Sequence, residues 1–274
     1  MRTPEPVIVV ALFPEERTAL LALLSELTDE DWARPTVCAG WSVKDVALHI
    51  LGDDLGILSR KRDGFRHSAR AQSGDLVDLV NRINEDWVQA TRRLSGCVLC
   101  ELLGFTAGPS LAYFQSLDPM AIGEAVSWAG PDPAPIWLDI AREYTERWLH
   151  QQHIRDAIGR PGLNGRRFLG PVLETFVRAL PRTFRDVGAD AGIAVGLTIT
   201  GESGGDWGVV RETDRWNLYK GTPVPPAAAV TIGQDAAWRV FTRGLSRREA
   251  VAASRIEGDR SLGIKVLETV SIIA

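Results

Sequence analysis

Up to about residue 160 the apolar residues of this chain recur at helical spacing, and beyond it strand-like runs take over; this switch constrains the fold more than any other feature. The segment Pro161 to Arg167 (Pro-Gly-Leu-Asn-Gly-Arg-Arg) marks the change. Gly and Pro density rises there, which reads as a linker. Two domains are therefore expected, 1–163 and 164–274, a division that a chain of 274 residues accommodates.

The first part reads as helical. Pro14, Glu15 and Glu16 open a helix with apolar positions at Leu20, Leu21, Leu23 and Leu24. Thr28 with Asp31 makes a capping-box pattern before Trp32, and Ser42 with Asp45 makes another. Between them, 34–40 holds Pro35 and Gly40 and reads as a loop. The Ser42 helix is expected to reach about Arg60. A third helix is expected at 75–94, with Leu76, Leu79, Val80, Ile83 and Trp87 at helical spacing. A fourth covers 97–117, disturbed near Gly108 and Pro109. A proline-rich loop at 130–135 leads into a last long helix over about 134–158, stopped by Gly159 and Pro161.

The second part opens with a helix near 168–185. Strand-like runs follow at 193–200, 207–212, 215–219 and 228–232. Gly201, Gly204, Gly205 and Asp206, then Thr213 and Asp214, suit the hairpins between them. Helical runs at 235–243 and 260–271 close the chain. The expected class is α+β: a meander with helices on one face.

Composition narrows the function. The chain is 45% hydrophobic and 24% charged, so it can bury a full core without staples. A formal net charge of -4 leaves no basic excess to neutralise phosphates, and nucleic acid is not an expected partner. The cluster Arg60, Lys61, Arg62 and Arg66 reads as a solvated helix end. Cys38, Cys97 and Cys100 cannot build a disulfide framework. Cys97 and Cys100 form a Cys-x-x-Cys pair, but Val98, Leu99, Leu102 and Leu103 around it read as a packed helix. No secretory leader and no run near the roughly 18 apolar residues of a membrane span are visible. A reducing cytoplasm is the expected compartment.

The chemistry-bearing residues gather on two expected helices. Glu146 and His150 are four apart, a spacing that stacks them on one helix face close enough to share an ion. His153 lies three further along the same stripe, where it suits a fourth ligand, a group that orients the ligands, or a catalytic base. His49 follows Val46 and precedes Ile50 on an apolar face, where an inward imidazole needs a partner. Asp53, one turn on, is placed to fix the ring's tautomer. Histidine and carboxylate are common zinc ligands, and three protein ligands leave a position for water or substrate. A Glu and a His at this spacing are also often a solvated pair, and a lone apolar-face histidine is often a satisfied core residue. Spacing alone does not join positions 49 and 146. Trp41, Trp87 and Trp148 read as core. Trp128 reads as a pocket wall beside its loop. Trp238, Arg239 and Arg243 are groups that could face a cleft, an arginine there suiting a substrate carboxylate. Arg155 and Asp156 read as structural; Cys38, just before the His49 helix, reads as a small packed residue, with an extra metal ligand as the alternative.

Two stretches carry a resemblance that supplies the join. Trp32-Ala-Arg-Pro-Thr-Val-Cys-Ala-Gly-Trp-Ser-Val-Lys-Asp-Val-Ala-Leu-His49 and Glu146-Arg-Trp-Leu-His150-Gln-Gln-His-Ile-Arg-Asp-Ala157 resemble the mycothiol-dependent maleylpyruvate isomerase family. The resemblance implies a DinB-like up-and-down four-helix bundle in 1–163. It also implies that His49, Glu146 and His150 together bind a divalent metal, usually taken as zinc. Val230-Thr-Ile-Gly-Gln-Asp-Ala-Ala-Trp238 and Ile256-Glu-Gly-Asp259 more loosely resemble the family's sterol-carrier-protein-like domain, implying a small α+β domain with a mainly antiparallel sheet in 164–274.

The implied activity is metal- and thiol-dependent. A small thiol such as mycothiol would bind the metal as thiolate, add to a conjugated double bond and leave after rotation; other relatives resemble thiol transferases. His153 stands where family members often carry Asp and is the expected catalytic base. Nickel or iron could replace zinc at such ligands. The expected partners are a small thiol and a small electrophile, with no nucleic acid and no membrane, in a monomer or homodimer. Two other readings stay open: a metal-carrying module that binds or senses a small ligand without turnover, and a structural metal in an interaction protein.

Overall fold

The computed structural model describes residues 1–65, 76–222 and 225–272. Arg66 and the expected helix start at Asp75 lie outside them. By internal contacts the chain divides into two units. One, the helical unit, comprises Val9–Asp118 and Glu143–Leu163; the other, the sheet unit, comprises Met1–Ile8, Pro119–Arg142 and the chain from Asn164 onward.

The helical unit contains α1 (Phe13–Ser25), α2 (Asp29–Ala33), α3 (Val43–Gly56), α4 (Leu76–Thr91), α5 (Gly96–Ser116) and, from Glu143, α6 (Ile136–Ala157). Both capping boxes form. Thr28 accepts from the Asp31 N–H and Ser42 from the Asp45 N–H, and each aspartate accepts from its cap's N–H in return. Helix α3 is central, with Val43, Val46, Ala47, Leu48, Ile50 and Leu51 all buried. They pack with Leu20 and Leu24 of α1, Val88 of α4, Leu99 and Leu103 of α5 and Ile154 of α6. Each such Val, Ile or Leu contributes roughly 1.5–3 kcal/mol relative to exposure. Helix α4 comes close to α3 at Gly52, where an added Cβ would lie 2.6 Å from the Trp87 indole. That indole donates from Nε1 to the Leu48 carbonyl at 2.8 Å. Helix α6 stops at Gly159, which takes the left-handed φ of +67° that glycine adopts without strain.

Four of these helices meet at one carboxylate. Asp54 of α3 is fully buried. Its Oδ2 accepts from Arg17 Nη2 of α1 and from Thr106 Oγ1 of α5, both at 2.7 Å. Its Oδ1 accepts from Arg147 Nη2 of α6 at 2.8 Å. Arg147 also donates to Glu143 Oε2 at 3.0 Å, and Arg17 to the Leu103 carbonyl at 2.6 Å. Burial alone would raise the Asp54 pKa; Arg147 and Arg17 outweigh it and hold the carboxyl below its usual range.

Three local differences from the sequence reading have physical reasons. Past Gly56 the chain leaves α-helical geometry for a π-helical stretch, Ile57–Arg62, rather than continuing as α-helix to Arg60. Helix α5 is continuous through Pro109, although proline leaves the Phe105 carbonyl without its helical partner. Thr106, Ser110 and Phe114, buried on either side of Pro109, anchor it. That helix also carries an 18-residue window apolar enough to cross a membrane, against the expectation that no run approaches a span. Glu101 is its sole charge, and it packs here against α1 and α3.

In the sheet unit, β1 (Ile122–Ala125) and β2 (Pro133–Pro135) pair antiparallel, and β2 falls inside the 130–135 stretch read as a loop. Then follow α7 (Arg166–Phe176), a 3-10 turn at Val177–Ala179, α8 (Leu180–Phe184), β3 (Ala194–Thr200), β4 (Gly205–Arg211), β5 (Trp216–Lys220), β6 (Ala228–Gly233), α9 (Gln234–Phe241), α10 (Arg247–Ala252), β7 (Ser254–Gly258) and α11 (Arg260–Val266). The single helix expected at 168–185 is thus broken at 177–179, and the one expected at 260–271 ends at Val266. The sheet order is β5-β4-β3-β6-β7. Strands β3, β4 and β5 form the expected meander, but β6 returns to pair parallel with β3, and β7 closes the edge antiparallel. Alternate residues Val195, Leu197 and Ile199 of β3, and Ala228, Val230 and Ile232 of β6, are buried. Helical Phe176, Leu180, Phe184, Trp238, Phe241 and Val266 are buried in the same unit.

Removing the shared carboxylate tests the four-helix junction. Asp54→Asn should cost about 3–5 kcal/mol at pH 7, read by urea unfolding, because two buried guanidinium groups lose their counter-charge. The wild-type advantage is present above the unfolded aspartate pKa of 3.8 and is lost as pH falls through the lower folded value, so the two proteins should converge in acid. Equal stability at neutral pH would rule the junction out.

Candidate metal centre

His49 sits midway along α3 and Glu146, His150 and His153 on consecutive turns of α6. One ligand atom from each of His49, Glu146 and His150 lies within 4.8 Å of the other two. Glu146 Oε1 is 2.9 Å from His150 Nε2 and 3.4 Å from His49 Nε2. The two imidazoles are edge to face, their centroids 4.6 Å apart. His49 and His150 are both buried, and Glu146 is half-buried. Two imidazole nitrogens thus converge on one carboxylate oxygen. That donor set fits a divalent cation such as zinc.

The neighbouring ion junction explains why these side chains meet. Arg147 follows Glu146, and Asp54 lies five residues after His49. The Asp54–Arg147 contact therefore sets the register of α3 against α6 next to the ligand positions. Glu143, one turn before Arg147, completes the pair.

The electrostatics couple the carboxylate to the imidazoles. Burial would raise the Glu146 pKa, but His150 and His49 outweigh it and hold the carboxyl well below its usual range. Burial opposes a charged His150, but Glu146 and the Cys38 thiol push its pKa up to about 10. For Asp53 burial wins: its pKa is raised, with Glu146 and Glu143 adding to the shift and His49 opposing it. The site therefore holds one firmly ionised carboxylate beside one reluctant to ionise.

Several residues differ from their sequence reading. Asp53 Oδ2 is 3.4 Å from His49 Nε2, the nitrogen that also faces Glu146. It approaches the ligand side of the ring rather than the far nitrogen where a tautomer-fixing partner would sit. Cys38, read as packing, has its Sγ 3.2 Å from His153 Nδ1. No sequence spacing signals that contact. It arises because the 34–42 loop turns tightly, with Trp41 N–H donating to the Cys38 carbonyl at 2.9 Å and Gly40 at a φ of +79°. Trp41, read as core, does pack on the core, and its ring centroid is also 5.2 Å from that of His49. Its Nε1 donates to Glu85 at 2.8 Å. Trp148 is fully buried and donates to the Leu163 carbonyl.

The remaining groups behave as structure. Arg155 donates to Gln151 and to the Pro161 and Ala19 carbonyls. Cys97 and Cys100 are free thiols on α5, and Cys100 packs against the core. In the sheet unit Trp128 and Trp238 are buried, and Arg239 lies over the Trp238 ring at 4.1 Å.

Comparison with known proteins bears on the fold and the family. Crystal structures described as the mycothiol-dependent maleylpyruvate isomerase and a mutant of it share the fold, with TM-scores of 0.54 and 0.53 at 11% identity, over 84% of this chain and 86% of theirs. Two uncharacterized proteins of Mycobacterium tuberculosis, one from each of two strains, are 27% identical over 161 residues, 58% of this chain and 59% of theirs. The matched part thus spans less than two thirds of those relatives. A family model described as the mycothiol maleylpyruvate isomerase N-terminal domain matches residues 13–155, a stretch that contains His49, Glu146, His150 and His153 and makes this chain a member of that family.

Proposed function

We propose that the chain is a divalent-metal-dependent enzyme that activates a small thiol for isomerisation of, or transfer to, a small electrophile. The observation that carries this reading is the convergence of His49 Nε2, His150 Nε2 and Glu146 Oε1 from two helices. In this reading those three groups hold the ion, with zinc the leading candidate and nickel or iron compatible with the same donors. A divalent cation bound there lowers the pKa of a thiol or water and polarises a carbonyl. Family membership supports mycothiol as the thiol.

The chain's own residues have separable roles. Glu146 stays ionised and holds the two imidazoles toward one point. Trp41 lies against His49 and limits the ring's movement. His153, one turn beyond His150, receives and returns the proton that moves when a thiol adds to a double bond and leaves again. The segment 164–274 is read as a sterol-carrier-protein-like domain, and the unpaired state of all three cysteines supports a reducing cytoplasm.

The Cys38–His153 contact favours a second reading. A thiol of the chain itself beside the centre can compete with an incoming thiol, which would make this a metal-holding, ligand-binding module without turnover.

Purified protein should hold about one divalent ion per chain by elemental analysis. Glu146→Gln and His150→Ala should each weaken that binding by on the order of 100-fold. Full metal content in both variants would end the assignment. With mycothiol and maleylpyruvate supplied, isomerisation should depend on thiol and metal together, and His153→Asn should slow turnover about 100-fold while leaving metal content intact. Metal binding without turnover on this or other conjugated electrophiles would select the binding module. Chelator should abolish activity while far-UV circular dichroism persists, because the apolar core and the Asp54 junction hold the helices. Unfolding on chelation would point to a structural ion.

A further inference from the structure

His150 presents two chemically different edges. Its Nε2 lies 2.9 Å from Glu146. Its Nδ1 is buried and has no hydrogen-bond partner. A buried ring nitrogen left unpaired is costly, and a metal-binding histidine ordinarily has its second nitrogen tied to a neighbour. What lies beside His150 outside the first ligand set is a thiol and a further imidazole. Cys38 Sγ and His153 Nδ1 are 3.2 Å apart, and one ligand atom each from Cys38, His150 and His153 falls within 4.8 Å of the other two.

We propose that Cys38, His150 and His153 form a second ligand set, selective for a strongly thiophilic divalent cation such as Cd²⁺, that shares His150 with the first. The donors are one sulfur and two imidazole nitrogens, a combination that thiophilic ions prefer over all-oxygen sites. Cys38 and His153 are half-buried and His150 is buried, so the set is partly shielded yet reachable by an ion. Its preorganisation is local: His150 and His153 are three apart on α6, and the closed turn at Cys38–Trp41 holds the sulfur. On binding, the Cys38 thiol proton passes to buffer and the sulfur coordinates as thiolate.

Sharing has a consequence. A neutral imidazole has one nitrogen with a free lone pair, so His150 serves one set at a time. The two sets are therefore exclusive alternatives. Ions that favour carboxylate and imidazole take His49, Glu146 and His150, whereas thiophilic ions take Cys38, His150 and His153. This inference goes beyond the thiol-enzyme reading and does not depend on turnover.

The test is a Cd²⁺ titration of the full chain in a Cys97→Ser/Cys100→Ser background, which removes the other thiols. Ultraviolet absorption should show a sulfur-to-cadmium charge-transfer band that saturates at one ion per chain. Cys38→Ser and His153→Ala should each abolish the band, while Glu146→Gln should retain it, with far-UV circular dichroism reporting that each variant is folded. Absence of the band in the folded background protein would overturn the proposal. So would its persistence in Cys38→Ser or His153→Ala. Loss of the band in folded Glu146→Gln would also overturn it, because Cys38 would then be an extra ligand of the first set. The thiol-enzyme reading fails by a different observation: no metal-dependent, thiol-dependent turnover, whatever the cadmium band does.

Discussion

The helical unit depends on how two arginines share one buried aspartate. Asp54 draws Arg17 from α1 and Arg147 from α6 and takes a hydroxyl bond from Thr106 of α5. Apolar packing supplies most of the cohesion, but it tolerates sliding and repacking of helices. A fully buried carboxylate tolerates neither, because any shift leaves a charge without its partner in a medium that solvates it poorly. The junction therefore specifies register more than it adds net stability.

Register is what the candidate metal centre needs. Glu146 is next to Arg147 in sequence, and His49 is five residues before Asp54. Once Asp54 and Arg147 are paired, His49 and the Glu146–His150 face of α6 have little freedom to miss each other. The same two helices thus carry a closed ion pair on one stripe and converging ligands on the adjacent one. The contrast between the neighbouring carboxyls follows. Glu146, between two imidazoles, is stabilised as an anion, whereas burial and the negative charges of Glu146 and Glu143 discourage ionisation of Asp53.

A loop adds a further contact beside the candidate centre. The turn that ends in the Ser42 cap brings Cys38 onto His153, so a soft donor stands beside a site built from borderline and hard ones. His150 belongs to both candidate groups, with Nε2 against Glu146 and Nδ1 unpaired.

Much of the secondary structure was legible in the residues. The Thr28–Asp31 and Ser42–Asp45 boxes mark helix starts because their hydrogen bonds are local, and Gly159 marks a helix end for the same reason. The runs at 193–200 and 228–232, rich in β-branched and apolar residues between turn residues, report strands. The parallel pairing of β6 with β3, the edge strand β7 and the β1–β2 pair escaped, since their hydrogen bonds depend on partners distant in sequence or on short runs without alternation. Glu146 and His150 could be set on one face from their spacing alone. Their meeting with His49, the approach of Asp53 to the ligand-side nitrogen and the contact of Cys38 with His153 belong to the tertiary structure. Sequence encodes period, caps and turn chemistry, which act within a few residues; only the packing of α3 on α6, with its buried charge pairing, decides which side chains from remote segments come within bonding distance.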